Sequence, residues 1–392
     1  MTVNKTNWSL VLIIVFAGIT AATNIGKVAP VIPLIQQELG LSLVNVGWVV
    51  SGFSLAAMFL CLLMSVLATQ VGNYRLAVLA LLMMGAGGLI SANAGSFPAL
   101  LSGRVTESLG FVMIAVTGPA LLAKVALPED MAIAITLWTI WLPVGVILML
   151  LLSPLLVSLS GWRLVWSVTS WLSLAWALVL GIAVFKIGTA GDRAPRISRA
   201  EFRGLFHRNS WLLTLSMTCF SMAYLAATSF APTFWYETHD ISLRQGAYFL
   251  TFAMFGTMIG NLSSGLLVKR GYATRKLLLM AFVIPTLIGG CSFLTSLPFW
   301  VQYIGFVIFT TLAGAVPTVL MAVAPTYTSS PVQIGPSVAM VFQGATTGQV
   351  LGPILLSQLI EYHQHNWSWA LLFFSVLAVM GSLLMSQVRP PE

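Results

Sequence analysis

Long apolar runs recur twelve times along this chain, at roughly 9–34, 45–69, 75–95, 97–123, 131–157, 162–184, 210–233, 244–268, 277–296, 299–324, 333–358 and 367–386. A bilayer crossing needs about 20 such residues. Backbone amides in hydrocarbon must bond within their own segment, so runs of this length are expected as helices. A barrel would show alternating segments of about ten residues. Of 392 residues, 58% are apolar and only 7% charged, which leaves too few polar side chains to cover a water-facing surface. The first run, from Trp8, is longer than a secretory leader and precedes eleven similar ones, so it is read as the first span.

An even number of spans puts both termini on one side. With the termini inside, only Arg163 and Arg244 fall in outer segments, Lys27 and Arg104 fall within spans, and every other Lys and Arg faces the inside. That asymmetry orients the chain in a cell membrane, expected to be a bacterial inner membrane with both termini cytoplasmic. It also accounts for the net charge of +8 without nucleic acid as a partner. The longest polar stretch, rich in Arg, Gly and Ser, separates six spans from six. The expected organisation is a bundle over 1–185, a cytoplasmic linker over 186–209 and a second bundle over 210–392. The linker is read as a solvated topology determinant, with lipid headgroups as the other reading.

The two halves match at an offset near 200. Ala29-Pro30 mirrors Ala231-Pro232, Ser65–Arg75 mirrors Gly265–Arg275, Pro119 mirrors Pro317, Ser153-Pro154 mirrors Gly352-Pro353, and Trp162 mirrors Trp367. Five matches in register point to a duplicated six-helix unit. Parallel repeats of this kind build carriers with a midplane site between the halves.

The loop after the second span, Ser65-Val66-Leu67-Ala68-Thr69-Gln70-Val71-Gly72-Asn73-Tyr74-Arg75, resembles the signature loop of the major facilitator superfamily. So does its counterpart Gly265-Leu266-Leu267-Val268-Lys269-Arg270-Gly271. Arg104-Val105-Thr106-Glu107-Ser108-Leu109-Gly110 is similar to that family's membrane-embedded arginine motif, and Gly161-Trp162-Arg163 is also typical of it. Within the family, Gly26-Lys27-Val28-Ala29-Pro30-Val31-Ile32-Pro33-Leu34-Ile35 and Glu38-Leu39-Gly40-Leu41-Ser42 look like the cyanate-porter branch. The resemblance implies an all-α membrane protein of twelve helices in two pseudo-symmetric bundles, working as a secondary carrier. It implies gating roles for Gly72, Arg75, Gly265 and Arg270. The family's loop aspartate is replaced by Thr69 in one half and Lys269 in the other, which removes one partner of the family's cytoplasmic latch.

Charges inside a span are costly and usually functional. Three stand out: Lys27, Arg104 and Glu107. Counting residues from the outer ends of spans 1 and 4 puts Lys27 and Arg104 at a similar depth, about 10 Å down at 1.5 Å per residue. Glu107 lies one turn from Arg104 on the same face. Two cations against one carboxylate leave a positive excess that suits an anion, and arginine suits two-oxygen groups. A structural ion pair for Arg104 and Glu107, and snorkelling for Lys27, are the alternatives. Glu107 is the candidate carrier of a coupling proton. Trp138, Trp141, Tyr224 and Gln343 are candidate cavity residues, with plain packing as their other reading, and Asn261 is expected to bond a neighbouring helix.

Cys61, Cys219 and Cys291 lie far apart in apolar runs and are read as small core residues, with no disulfide. His363 and His365 lack a partner cluster and are read as surface residues, so no metal site is expected. No phosphate-binding Gly-x-x-x-x-Gly-Lys-Ser/Thr motif and no nucleophile–base pair on a polar domain are present, so neither a cofactor nor an enzyme activity is expected. The expected function is proton-coupled uptake of a small anionic solute by a monomer in the bilayer. The alternative is proton-antiport export of drugs or metabolites, which the many aromatic and methionine residues would suit.

Overall fold

The computed structural model describes residues 5–127, 129–187, 199–269, 274–328 and 333–388. Every regular element among them is helical. Span 1 is α1 (Trp8–Gly26), a 3₁₀ turn (Ala29–Val31) and α2 (Ile32–Leu39). Spans 2 to 4 are α3 (Leu43–Val71), α4 (Asn73–Ala92) and α5 (Phe97–Val125). Span 5 is α6 (Met131–Thr139) continued by the first part of α7 (Trp141–Ile187), and span 6 is the rest of α7. The short α8 (Arg199–Gly204) precedes α9 (Arg208–His239), α10 (Leu243–Lys269) and α11 (Thr274–Cys291), which are spans 7 to 9. Span 10 is α12 (Phe299–Ala313) with α13 (Ala315–Val323), and spans 11 and 12 are α14 (Ile334–Tyr362) and α15 (Ala370–Ser386).

The backbone explains why α7 counts twice. At 47 residues it is too long for one crossing, and at Ser160 (φ −157°, ψ 30°) and Gly161 (φ 71°, ψ −173°) it leaves helical geometry. The positive φ there suits glycine, which has no Cβ to clash. Nine segments among the described residues are long and apolar enough to cross a bilayer, and Trp141–Ala183 is one of them, holding two crossings. With α10 and α11 this makes twelve spans. Large apolar side chains such as Phe59, Leu159, Trp171, Leu178, Phe252, Ile259 and Leu383 stand exposed on the helices, the expected surface for lipid rather than water.

The helices group into two compact units. One comprises Met1–Lys27 and Phe59–Arg196, the other Val28–Met58 and Ile197–Glu392. The chain crosses between them at Lys27–Val28, where α1 ends, and again inside α3.

In the first unit, α4 lies on α5 and α1 lies on α7 at backbone contact distance. A Cβ at Gly110 would overlap the Ala80 carbonyl, and one at Gly145 would overlap the Ile19 carbonyl. In the second unit, Gly344, Gly348 and Gly352 form a stripe on α14, and Cβ atoms there would meet the carbonyls of Thr214, Thr218 and Met222 on α9. On α10, a Cβ at Gly256 would meet Thr311 Oγ1 of α12, and one at Gly260 the Thr311 carbonyl. Small residues at four-residue spacing replace the hydrophobic effect, which gives no drive for helix association in lipid. Two serines of α3 also join α14 in this unit: Ser51 Oγ donates to the Val350 carbonyl (2.7 Å) and Ser54 Oγ to Gln349 Oε1 (2.6 Å).

Two expectations need correction. Cys61 and Cys219 are buried, but Cys291 is exposed at the end of α11, because the helix turns that face outward. The mirrored Ala-Pro pairs do not give mirrored helices: α1 stops before Pro30, whereas α9 runs through Pro232. Asn261 does bond across helices, accepting from Thr318 Oγ1 at 3.3 Å.

Candidate functional site

A break in span 1 creates the site. Pro30 and Pro33 lack N–H groups, so the Gly26 carbonyl at the end of α1 and the Ala29 carbonyl after it lose helical partners. Lys27 caps that end, its own N–H bonded to the Thr23 carbonyl at 3.2 Å. A cation at a helix C-terminus is favoured by the negative end of the dipole.

Its side chain is fully buried, as are those of Glu107 and Asn24. Lys27 Nζ donates to Glu107 Oε1 (2.6 Å), Asn24 Oδ1 (2.6 Å) and Thr169 Oγ1 (3.2 Å). An ammonium has three donors and no acceptor, so all three are used, and the Asn24 amide must turn its oxygen toward it. The Asn24 amide nitrogen donates back to the Thr20 carbonyl at 3.3 Å. Arg104 Nη1 donates to the other carboxylate oxygen, Glu107 Oε2, at 2.5 Å and to the Asn24 carbonyl at 3.2 Å. Arg104 therefore holds a carbonyl of the last turn of α1.

Glu107 is thus a bridge, with one oxygen on each cation. Two cations and one carboxylate share an interior closed to water, where removal of one partner leaves an uncompensated charge. α4 comes close enough to support this from behind: Cβ atoms at Gly87 and Gly88 would meet the Glu107 backbone nitrogen and its Oε1. Under the ammonium lies Trp166, its ring centroid 5.0 Å from Lys27 Nζ. Trp166 is fully buried, and its Nε1–H has no hydrogen-bond partner among the described residues.

The three charged residues singled out in the sequence are therefore in one hydrogen-bonded cluster inside the first unit. Trp138 and Trp141 lie in the same unit, stacked on each other at 4.9 Å, with Trp141 5.8 Å from Phe111. Trp138 fills the groove left by Gly18 and Gly118. Tyr224 sits in the second unit, its hydroxyl 3.0 Å from Thr257 Oγ1 and its ring stacked on Phe220 at 5.5 Å. Gln343 is half-buried on α14. Gly72 caps α4 with φ 102°, and Arg75 is exposed in the first turn. Gly265 lies within α10. Arg270 lies outside the described residues.

Sequence reading missed Asn24, Thr169 and Trp166. Asn24 had a signal, a polar residue one turn before Lys27 in an apolar run. Thr169 had only a weak one, since Ser167, Thr169, Ser170 and Ser173 are close together and such hydroxyls usually bond their own helix, as Ser170 and Ser173 do.

With this geometry in view, the comparisons with known proteins decide the class. The sequence matches the Major Facilitator Superfamily over residues 12–333. The fold is similar to a bacterial homologue of the human lysosomal transporter Spinster, with a TM-score of 0.71 at 19% identity, covering 98% of this chain and 91% of that one. It is similar to the nucleoside transporter NupG, with a TM-score of 0.75 at 16% identity, covering 98% of this chain and 100% of that one. It is also similar to a D-xylose-proton symporter, with a TM-score of 0.75 at 12% identity and 98% coverage of both. The chain belongs to the Major Facilitator Superfamily. It is a multi-pass membrane transporter of the secondary type and not an enzyme.

Proposed function

We propose that the chain imports a small anion together with a proton, with Lys27 and Arg104 holding the anion and Glu107 carrying the proton. The observation that carries this reading is the buried cluster, in which two cations meet a single carboxylate. Such a site has one positive charge to spare, and low polarity around it strengthens any anion contact. Glu107 bonds directly to both cations, so its charge and that of a bound anion are coupled. An exporter of cationic drugs would need an embedded acid free to meet the drug, and both oxygens of Glu107 are already engaged.

On this reading the six-span halves at 1–185 and 210–392 rock about the linker at 186–209. Tyr224 and Gln343 meet the solute from the second half, Trp138 and Trp141 line its path, and Gly72, Arg75, Gly265 and Arg270 serve the inner gate. The Gly26–Ile35 and Glu38–Ser42 segments support a place near the cyanate-porter branch of the family. We place the protein in a bacterial inner membrane as a monomer, with both termini cytoplasmic.

The test is uptake into proteoliposomes under an imposed pH gradient, with a panel of small anions. Arg104→Ala should abolish uptake while the protein still reaches the membrane. Normal uptake by that variant would remove the anion reading.

A further inference from the structure

We propose that Glu107 is a built-in stand-in for the transported anion: a monovalent oxyanion with two oxygens, such as a monocarboxylate, takes its place between Lys27 and Arg104 as Glu107 accepts one proton. The proposal rests on the anion-import reading and adds to it the coupling step and the shape of the ligand.

The geometry is that of an occupied anion site. The Glu107 carboxylate offers one oxygen to Lys27 Nζ and the other to Arg104 Nη1. No external anion can reach both donors while that carboxylate holds them, and two negative charges cannot share the space at low dielectric. Protonation removes the conflict. A neutral Glu107 no longer satisfies two cations, and the vacated bridge has the spacing of a carboxylate because a carboxylate defines it. A linear anion cannot present two oxygens side by side. The buried Trp166 Nε1–H is a second, independent pointer. It is a donor without a partner among the described residues, on the ring beneath Lys27, and an unfilled buried donor is costly unless an acceptor visits it. A third acceptor atom on the ligand would fill it.

The groups that face Glu107 are few. Lys27 reaches it from the end of α1 and Arg104 from its own helix, α5. α4 presents Gly88, and α7 presents Thr169 to the same ammonium. The titratable side chains bonded to its carboxylate are thus both cations, and the proton has Glu107 as its acceptor. One anion in and one proton in leave the loaded site with the charge of the empty one. Transport of a monovalent anion is then electroneutral, driven by a pH difference and indifferent to membrane potential.

The sign follows from linkage. Binding one proton with each anion makes apparent affinity fall tenfold for each unit of rise in pH.

The deciding experiment is calorimetric titration of the full chain in lipid nanodiscs with sodium pyruvate and sodium thiocyanate, in two buffers of different ionisation heat. Pyruvate should bind with uptake of one proton per anion and with the tenfold pH dependence. Thiocyanate, which is linear, should bind at least tenfold more weakly. Glu107→Gln should bind pyruvate without proton uptake and without pH dependence. Pyruvate binding to the unaltered protein without proton uptake overturns this proposal and leaves anion import standing. Proton uptake that persists in Glu107→Gln overturns it by moving the proton elsewhere, and thiocyanate binding as tightly as pyruvate overturns the two-oxygen requirement. Absence of binding by either anion overturns both readings. If Glu107→Gln does not reach the membrane, the proton count on the unaltered protein decides alone.

Discussion

Spans 1 and 7 carry the same Ala-Pro pair at matching positions, and they fold differently. α1 stops at Gly26, whereas α9 continues from Arg208 to His239 with Pro232 inside it. A proline in a helix frees the carbonyl four residues earlier. In span 1 two prolines fall within four residues and leave the Gly26 and Ala29 carbonyls without a helical donor, while Arg104 holds the Asn24 carbonyl just before them. In α9 a single proline removes a single bond, and the residue whose carbonyl is freed, Thr228, still ties its hydroxyl to the Tyr224 carbonyl at 2.9 Å. Two prolines close together thus end a membrane helix that a single proline leaves continuous. The broken helix then brings its own charge, Lys27, into the interior. The continuous one brings none: Thr214 and Thr218 bond their own backbone, and Ser216 and Thr233 are buried without a hydrogen-bond partner among the described residues.

The strongest way to break this contrast is Glu107→Ala. It leaves Lys27 and Arg104 buried with no carboxylate, and losing one member of a buried ion cluster costs about 3–5 kcal/mol. The expected outcome is a large drop in melting temperature in detergent, partly restored by an added monocarboxylate. An unchanged melt would mean that the cluster does not hold the end of α1.

Span 7 depends on close packing instead, so its equivalent is Gly348→Val. The added branch would overlap the Thr218 carbonyl and crowd the Met222 nitrogen and Ser221 Cβ. Overpacking of this kind costs about 1–3 kcal/mol. The melt should fall less than for Glu107→Ala, and an anion should not restore it. Restoration by an anion would mean that the effect of Gly348→Val reaches the cluster around Glu107.

The matched prolines give a smaller, paired effect. Pro232→Ala returns an N–H to α9 opposite the Thr228 carbonyl, so stability should shift by about 1 kcal/mol or less, with uptake retained. Pro30→Ala returns an N–H opposite the Gly26 carbonyl, favours continuation of α1 and should displace Lys27. Uptake should fall at similar stability. Equal loss of uptake in both variants would end the claim that only the first proline builds a site.

These differences also mark what the sequence could tell. The twelve spans were legible because chain length in an apolar run maps directly onto bilayer thickness. Lys27, Arg104 and Glu107 were legible because a charge in such a run has few tolerable places to go. The break at Pro30 was not, since Ala231-Pro232 shows the same letters in an unbroken helix. Trp166 was not either, because a tryptophan in a membrane span is ordinary and only its lack of a partner among the described residues marks it. The passage of Val28–Met58 into the second unit is likewise set by tertiary contacts, such as Ser51 on Val350, which no local pattern announces.

The smallest effect is expected at Tyr224, where two readings of one side chain separate. Its hydroxyl shares a hydrogen with Thr257 Oγ1 at 3.0 Å, and its ring stacks on Phe220. Tyr224→Phe keeps the ring and deletes the hydrogen bond, at a cost of about 1 kcal/mol. If Tyr224 only ties α9 to α10, the melt falls slightly and the KM for uptake stays as it was. If it also meets the solute, KM rises several-fold with little change in the melt, because the solute loses a partner that the empty protein can replace through Thr257. The pair of measurements therefore tells whether α9 contributes to recognition or only to the packing of its own unit.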